Sequence, residues 1–347
     1  SSPHGSSRRS ASLALVLQSF PRAQLPVAVA IWSAVGAFAG AVGPTLGALV
    51  IEHVGWRWAF YINVPVGILS RALGRRVLTE GREANPGRFP DVASIVLLIG
   101  SIAALAFGIV QTLVWPIAVA AVLLVGVLVR SRRVTNPLID LGLFRSPAFS
   151  LANTALFLFA IGFAAMFLGN VLFLTQVWGY SIMRAGLVMS VGPFVVATTA
   201  PLFGRLAGRI GQRALAIPGG LVWASGGLLL LATATSEPHY VSQFLPAVLL
   251  TGLGVSLVLP QLSSVSVQDL PPDRFGAGSA VSQALRNLGA TIGVALVVAF
   301  TAAMTPATAL AHFREVWWLL AASGGCVTAL AVLLPRRGRR VPARAIG

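Results

Sequence analysis

Long apolar runs, separated by short polar connections that carry arginine, alternate along the chain from residue 26 to residue 335. About 20 helical residues cross the hydrocarbon core of a bilayer. Ten runs reach or approach that length: 26–51, 57–74, 92–112, 114–130, 149–175, 185–203, 214–233, 241–262, 277–301 and 316–335. The run 114–130 follows its predecessor after a tight connection bearing Gln111 and Pro116, which predicts a helical hairpin. The polar residues 1–10 are expected to be disordered. The apolar run 11–20 is too short to span. Arg8 and Arg9 before it resemble a signal peptide, but Gln18 interrupts the run and no A-x-A site follows, so it reads as the end of a truncated helix.

The first long run contains the stretch GAFAGAVGPTLG, residues 36–47. At about 100° per residue, Gly36, Gly40, Gly43 and Gly47 fall within roughly 60° of one another on a helix. Such a bare stripe lets a second helix approach backbone to backbone. Pro44 has no N–H and leaves the Gly40 carbonyl without its usual partner. In lipid that break is tolerated where protein or a water-filled cavity satisfies the freed group. A kinked helix lining something is the expectation.

Composition agrees with the spans. The chain has 347 residues, 56% hydrophobic and 10% charged, with mean hydropathy +0.85, where soluble domains carry about 25% charged residues. The net charge of +16 would suggest nucleic acid in a soluble protein. Here the charges sit in the connections, so no nucleic-acid partner is expected and the pattern is the positive-inside one. One set of connections and the tail hold nineteen arginines, from Arg22 through Arg71, Arg130, Arg205 and Arg274 to Arg344. The other side holds Arg57, Arg184 and Arg314. The first side is expected to be cytoplasmic, with the C-terminus inside a multi-pass cell (inner) membrane protein. All 25 basic residues are arginine, a compositional sign of a GC-rich, bacterial genome.

Several chemistries are absent from the pattern. A single Cys326 excludes disulfide frameworks and cysteine-based metal sites. His4, His53, His239 and His312 lie far apart in the tail or connections, so no metal site is expected. No GxxxxGK[ST] or GxSxG motif occurs, and Gly252-Leu253-Gly254 lies in an apolar run, so neither a cofactor nor a catalytic group is expected.

The segment IWSAVGAFAGAVGPTLGALVIEHVGWRWAFYINVPVG resembles the fifth helix and following loop of the major facilitator superfamily, in its 14-helix drug:proton antiporter branch. Gly43, Pro44 and Gly47 match the antiporter signature, whose last glycine is here Ala48. Trp56-Arg57-Trp58-Ala59-Phe60 and Asn63-Val64-Pro65-Val66-Gly67 follow it. Residues 204–213 (GRLAGRIGQR) resemble the superfamily's cytoplasmic loop motif through Gly204, Leu206, Arg209, Gly211 and Arg213, with Gly208 at the usual Asp position. Residues 175–193 and 276–296 are similar to two further stretches of the C-terminal half. The resemblance covers residues 11–335, with 1–10 looking unrelated, and its register places a two-helix insert at 92–130.

The resemblance implies an all-α, polytopic major-facilitator bundle lacking the family's first three helices and most of the fourth. Its layout would be a polar N-terminus and helix remnant (1–25), the end of an N-terminal bundle with its connection (26–91), the insert (92–130), a six-helix C-terminal bundle (131–335) and a basic tail (336–347). It implies proton-coupled efflux of small amphipathic compounds, with the bilayer, the compound and protons as partners. The alternatives are a truncated, transport-incompetent fragment and a membrane scaffold. Candidate residues are Gly36, Gly40, Gly43, Pro44 and Gly47 in the antiporter stretch. In the gating loop they are Gly204, Arg205, Arg209, Gly211 and Arg213, the arginines spaced by four on one helical face. Arg286, Gln283 and Asn170 are candidates for the cavity, although Gln283, Asn170, Asn153 and Gln261 also suit interhelical hydrogen bonds. Phe157, Phe159, Phe163, Phe167 and Phe173 are expected to face lipid, and Trp56, Trp58, Trp317 and Trp318 to anchor at the interface. The acids lie at span ends or in connections.

Overall fold

A computed structural model describes residues 43, 46–47, 49–77, 91–134, 141–270 and 274–335. The expected N-terminal remnant (1–25), most of the run 26–51 and the tail 336–347 lie outside the described residues. Within them the helices are α1 (Trp56–Tyr61), α2 (Asn63–Val77), α3 (Val92–Val110), α4 (Val114–Arg133), α5 (Pro147–Leu172), α6 (Ile182–Met189), α7 (Val191–Ile210), α8 (Gln212–Thr233), α9 (Leu245–Gln268), α10 (Phe275–Thr301) and α11 (Ala309–Leu333). A π-helical turn at Phe173–Val177 prolongs α5, and another at Tyr240–Phe244 opens α9. No strand occurs among the described residues.

Eight helical runs among these residues are long and apolar enough to cross a membrane, from Ala93–Val110 to Ala309–Leu333. They coincide with the last eight predicted runs. The run 57–74 behaves differently. The chain turns at Ile62, between α1 and α2, because Pro65 has no N–H to give the Tyr61 carbonyl and its ring crowds that group. The Asn63 amide donates instead to the carbonyls of Ala59 and Phe60, both at 3.3 Å. Pro193 has the same effect on the run 185–203, which divides at Ser190 into α6 and α7. The last run begins seven residues before its predicted start of 316, so Arg314 and Glu315 stand on α11 rather than before it.

The hairpin α3–α4 is joined at its open end by Asp91. This residue caps α3 by accepting from the Ser94 N–H (3.3 Å) and hydroxyl (2.7 Å). It also pairs with the Arg130 guanidinium through both carboxylate oxygens, with Nη2 to Oδ1 at 3.0 Å. Arg130 first, then Ser94, holds the Asp91 carboxyl well below its ordinary value of 3.8. A depressed acid contributes its stabilisation above the ordinary value and loses it only as pH falls through the lowered one. The hairpin staple is therefore intact at every physiological pH.

Helices α5–α11 form one bundle, with α8 against α9 and α11, α5 against α10 and α11, and the short α6 against α5 and α7. Glycine makes these contacts possible. A Cβ on Gly324 would stand 2.6 Å from the Gly220 carbonyl oxygen, and one on Gly227 2.8 Å from that of Trp317. A Cβ on Gly254 would meet the Trp223 backbone at 2.8 Å. Into this frame fit two fully buried indoles. Trp223 donates to the Ser323 hydroxyl at 3.0 Å and lies beside Phe159, with ring centres 4.7 Å apart. Trp317 donates to Asn170 Oδ1 at 3.4 Å.

Burial corrects two expectations. Trp317 is not an interfacial anchor, while its neighbour Trp318, like Trp56 and Trp58, is exposed. Phe159 and Phe173 are core residues, whereas Phe163 and Phe167 are exposed. Gly324→Val should destabilise the protein by about 1–3 kcal/mol through backbone overpacking. Gly325→Val should stay within about 0.5 kcal/mol, because a Cβ there meets no atom within 4 Å. Thermal unfolding of the two variants in one detergent checks the contrast.

Candidate functional site

Three residues of the antiporter stretch, Gly36, Gly40 and Pro44, lie outside the described residues. Gly43 and Gly47 are helical, and no described atom lies within 4 Å of a Cβ built on either. The helix ends at Gly55, whose φ of +96° suits glycine and turns the chain into α1. There Trp56 packs edge-on to Phe60 and Trp58 to Tyr61. One turn before Gly55, the Glu52 carboxylate accepts the Met183 N–H at 2.9 Å. This bond joins the N-terminal residues to the first turn of α6, whose Arg184 N–H is capped by the Ser181 hydroxyl at 3.2 Å. No motif flags Glu52. Its signal in the sequence is only an acid just beyond an apolar run.

The arginines of the 204–213 stretch do not share one helix. The chain reverses at Gly211, with φ +92°, a backbone that a side chain would strain. Arg205 and Arg209 therefore sit exposed on α7, with Gly204 also exposed, and Arg213 belongs to α8. Arg213 Nη1 donates to the Leu334 carbonyl at 2.8 Å. That carbonyl is the C-terminal cap of α11, where a cation also meets the negative end of the helix. Beside it lies a cavity of about 450 Å³ at the ends of α7, α8, α9 and α11.

The three cavity candidates do not converge. Asn170 is buried between α5 and α11 and holds the Trp317 indole, so it is a helix–helix contact. Gln283 is exposed on α10 and donates along its own helix to Asn287 Oδ1 at 2.9 Å, with no interhelical bond among the described residues. Arg286 is half-buried about 11 residues along α10, and no ion pair joins it to an acid of the described residues. Asn153 also bonds within its own helix, to Phe149 at 2.9 Å. Its Oδ1 and Gln261 Nε2 are buried without a partner among the described residues.

The family model described as the Major Facilitator Superfamily matches residues 5–294, and again residues 152–346. The chain belongs to this superfamily. The match starts at residue 5 and so reaches into the N-terminal residues that look unrelated by motif. Among curated relatives, the multidrug resistance protein Stp of Mycobacterium tuberculosis is 35% identical over 88% of this chain and 58% of its own length. The tetracenomycin C resistance and export protein of Streptomyces glaucescens is 29% identical over 84% and 56%. The multidrug efflux pump LfrA of Mycolicibacterium smegmatis is 30% identical over 80% and 56%. The chain thus spans little more than half the length of the relatives it matches.

In this member of the superfamily, the Glu52 bond joins the helix end that follows the antiporter stretch to α6. A hydrogen bond to a charged group contributes about 1.5–3 kcal/mol net, which is tenfold or more in an opening equilibrium. Glu52→Ala should therefore speed amide exchange of the peptide around Met183 about tenfold. Glu52→Gln, which keeps an acceptor oxygen, should preserve part of that protection. Hydrogen exchange read by mass spectrometry separates the two variants.

Proposed function

We propose that the whole protein exports small amphipathic compounds across the cell membrane in exchange for protons, by rocking of two helical bundles about a central site. The observation that carries this reading is the similarity, over most of the chain, to relatives named for multidrug resistance, drug export and efflux. The antiporter signature at Gly43, Pro44 and Gly47 supports the exchange mode, and residues 26–91 and 131–335 would belong to opposing bundles with 92–130 inserted between them.

In this reading the arginine-rich connections face the cytoplasm, as does the C-terminus. Gly36–Gly47 sets a kink at the bundle interface. The Arg213 contact with the end of α11 fixes the cytoplasmic side, and Glu52 on Met183 fixes the other. Arg286 is the one charge deep in the described spans, and it faces the pathway or snorkels from it. Protonation belongs to a membrane-embedded acid. The acids among the described residues stand at or near span ends, so coupling is assigned to a carboxylate elsewhere in the whole protein.

Cells expressing the full-length protein should extrude an amphipathic dye such as ethidium, and collapse of the proton gradient should stop the efflux. Dye efflux that persists without the gradient would reject proton coupling. Absence of efflux for a panel of amphipathic compounds, with the protein present in the membrane, would reject the export reading itself.

A further inference from the structure

The cavity at the arginine-rich end of the C-terminal bundle points to a ligand other than the transported compound. It is lined by the turn Ile210–Gly211–Gln212–Arg213, by Gln268, and by the apolar Ile217 and Val265. Among the described residues every lining side chain is cationic, neutral polar or apolar, and none is acidic. Asp269 follows Gln268 in sequence but is exposed and outside the lining. Arg213 spends one of its five N–H donors on the Leu334 carbonyl, leaving a fork suited to phosphate oxygens. Arg209 and Arg205 stand exposed on the preceding helix, adding positive potential at the mouth.

The position also selects a lipid over a free anion. The lining residues are the last of α7 and α9, the first of α8 and the two that follow α11, so the cavity sits where spans leave the hydrocarbon. The lining residue Ile210 is 53% exposed, and Leu333, the chain neighbour of lining residue Leu334, is 65% exposed. Apolar side chains beside a guanidinium suit a molecule with a phosphate head and an acyl tail. We propose that this cavity binds the headgroup of an anionic phospholipid, with the phosphate on Arg213 and acyl chains along Ile210 and Leu333. Bound there, the lipid would brace the α7–α8 turn against the end of α11.

The test uses the full-length protein, purified in neutral detergent and titrated with phosphatidylglycerol, phosphatidylcholine or inorganic phosphate, with bound lipid counted by native mass spectrometry. Phosphatidylglycerol should bind in preference to phosphatidylcholine, and phosphate alone should not displace it. Arg213→Gln should weaken phosphatidylglycerol binding about fivefold or more, in line with the attraction of one basic residue to an anionic surface. Arg213→Lys should retain part of it. Ala214→Trp fills the cavity while leaving Arg213 in place, and should abolish the bound lipid even if Arg213→Gln fails to fold. Equal binding of the two lipids, or wild-type binding by Ala214→Trp, would overturn the proposal. Displacement by inorganic phosphate would overturn the lipid in favour of a free-anion site.

Discussion

A peptide group in hydrocarbon has no water to bond, so each span must satisfy its own backbone, and apolar surface gives helices little reason to associate. What remains is close packing. In the C-terminal bundle this takes the form of backbone against backbone, at Gly220 with Gly324, Gly227 with Trp317, and Gly254 with Trp223. These approaches leave just enough room for two indoles, each held by a single polar partner, Ser323 for Trp223 and Asn170 for Trp317. The rest of the molecule depends on that frame. It sets the position of α11, whose end Arg213 reaches.

Much of this architecture is legible in the sequence, because the bilayer imposes length and hydropathy on each span. The eight apolar runs from residue 92 onward all become helices. The discrepancies have identifiable causes. Pro65 and Pro193 break otherwise apolar runs at Ile62 and Ser190 by removing an N–H, which hydropathy does not register. The polar residues His312, Arg314 and Glu315 hide the first two turns of α11, although a helix can carry them near the bilayer surface. Trp317 has the composition of an anchor and the address of a core residue. The face of α11 that meets α5 is the one that passes Gly162 and Gly169, where a Cβ would strike Ser323 and Val316.

The candidate site is legible only in part. The glycine at 211 follows from the motif and takes the positive φ that explains it. Three arginines spaced by four suggest one helical face, but the same glycine separates the third from the other two. That separation lets Arg213 act on another helix. Asn170 illustrates the opposite problem. A polar residue in a span suits a cavity and an interhelical bond equally well, and only the position of Trp317 decides between them. Glu52 and the cavity beside Arg213 come from residues far apart in sequence, so no local pattern could have marked them.

The proposed rocking requires that the C-terminal helices move as one body against the residues around Glu52. The most direct measurement is a pair of spin-label distances in the full-length protein, with Cys326 replaced by Ser. One pair spans the two parts at exposed Val54 and Ile182, and the other lies within the bundle at exposed Ile182 and Val241. Addition of a transported dye should shift the 54–182 distance and leave 182–241 unchanged. An equal change in both distances, or a constant 54–182 distance during transport, would contradict the account.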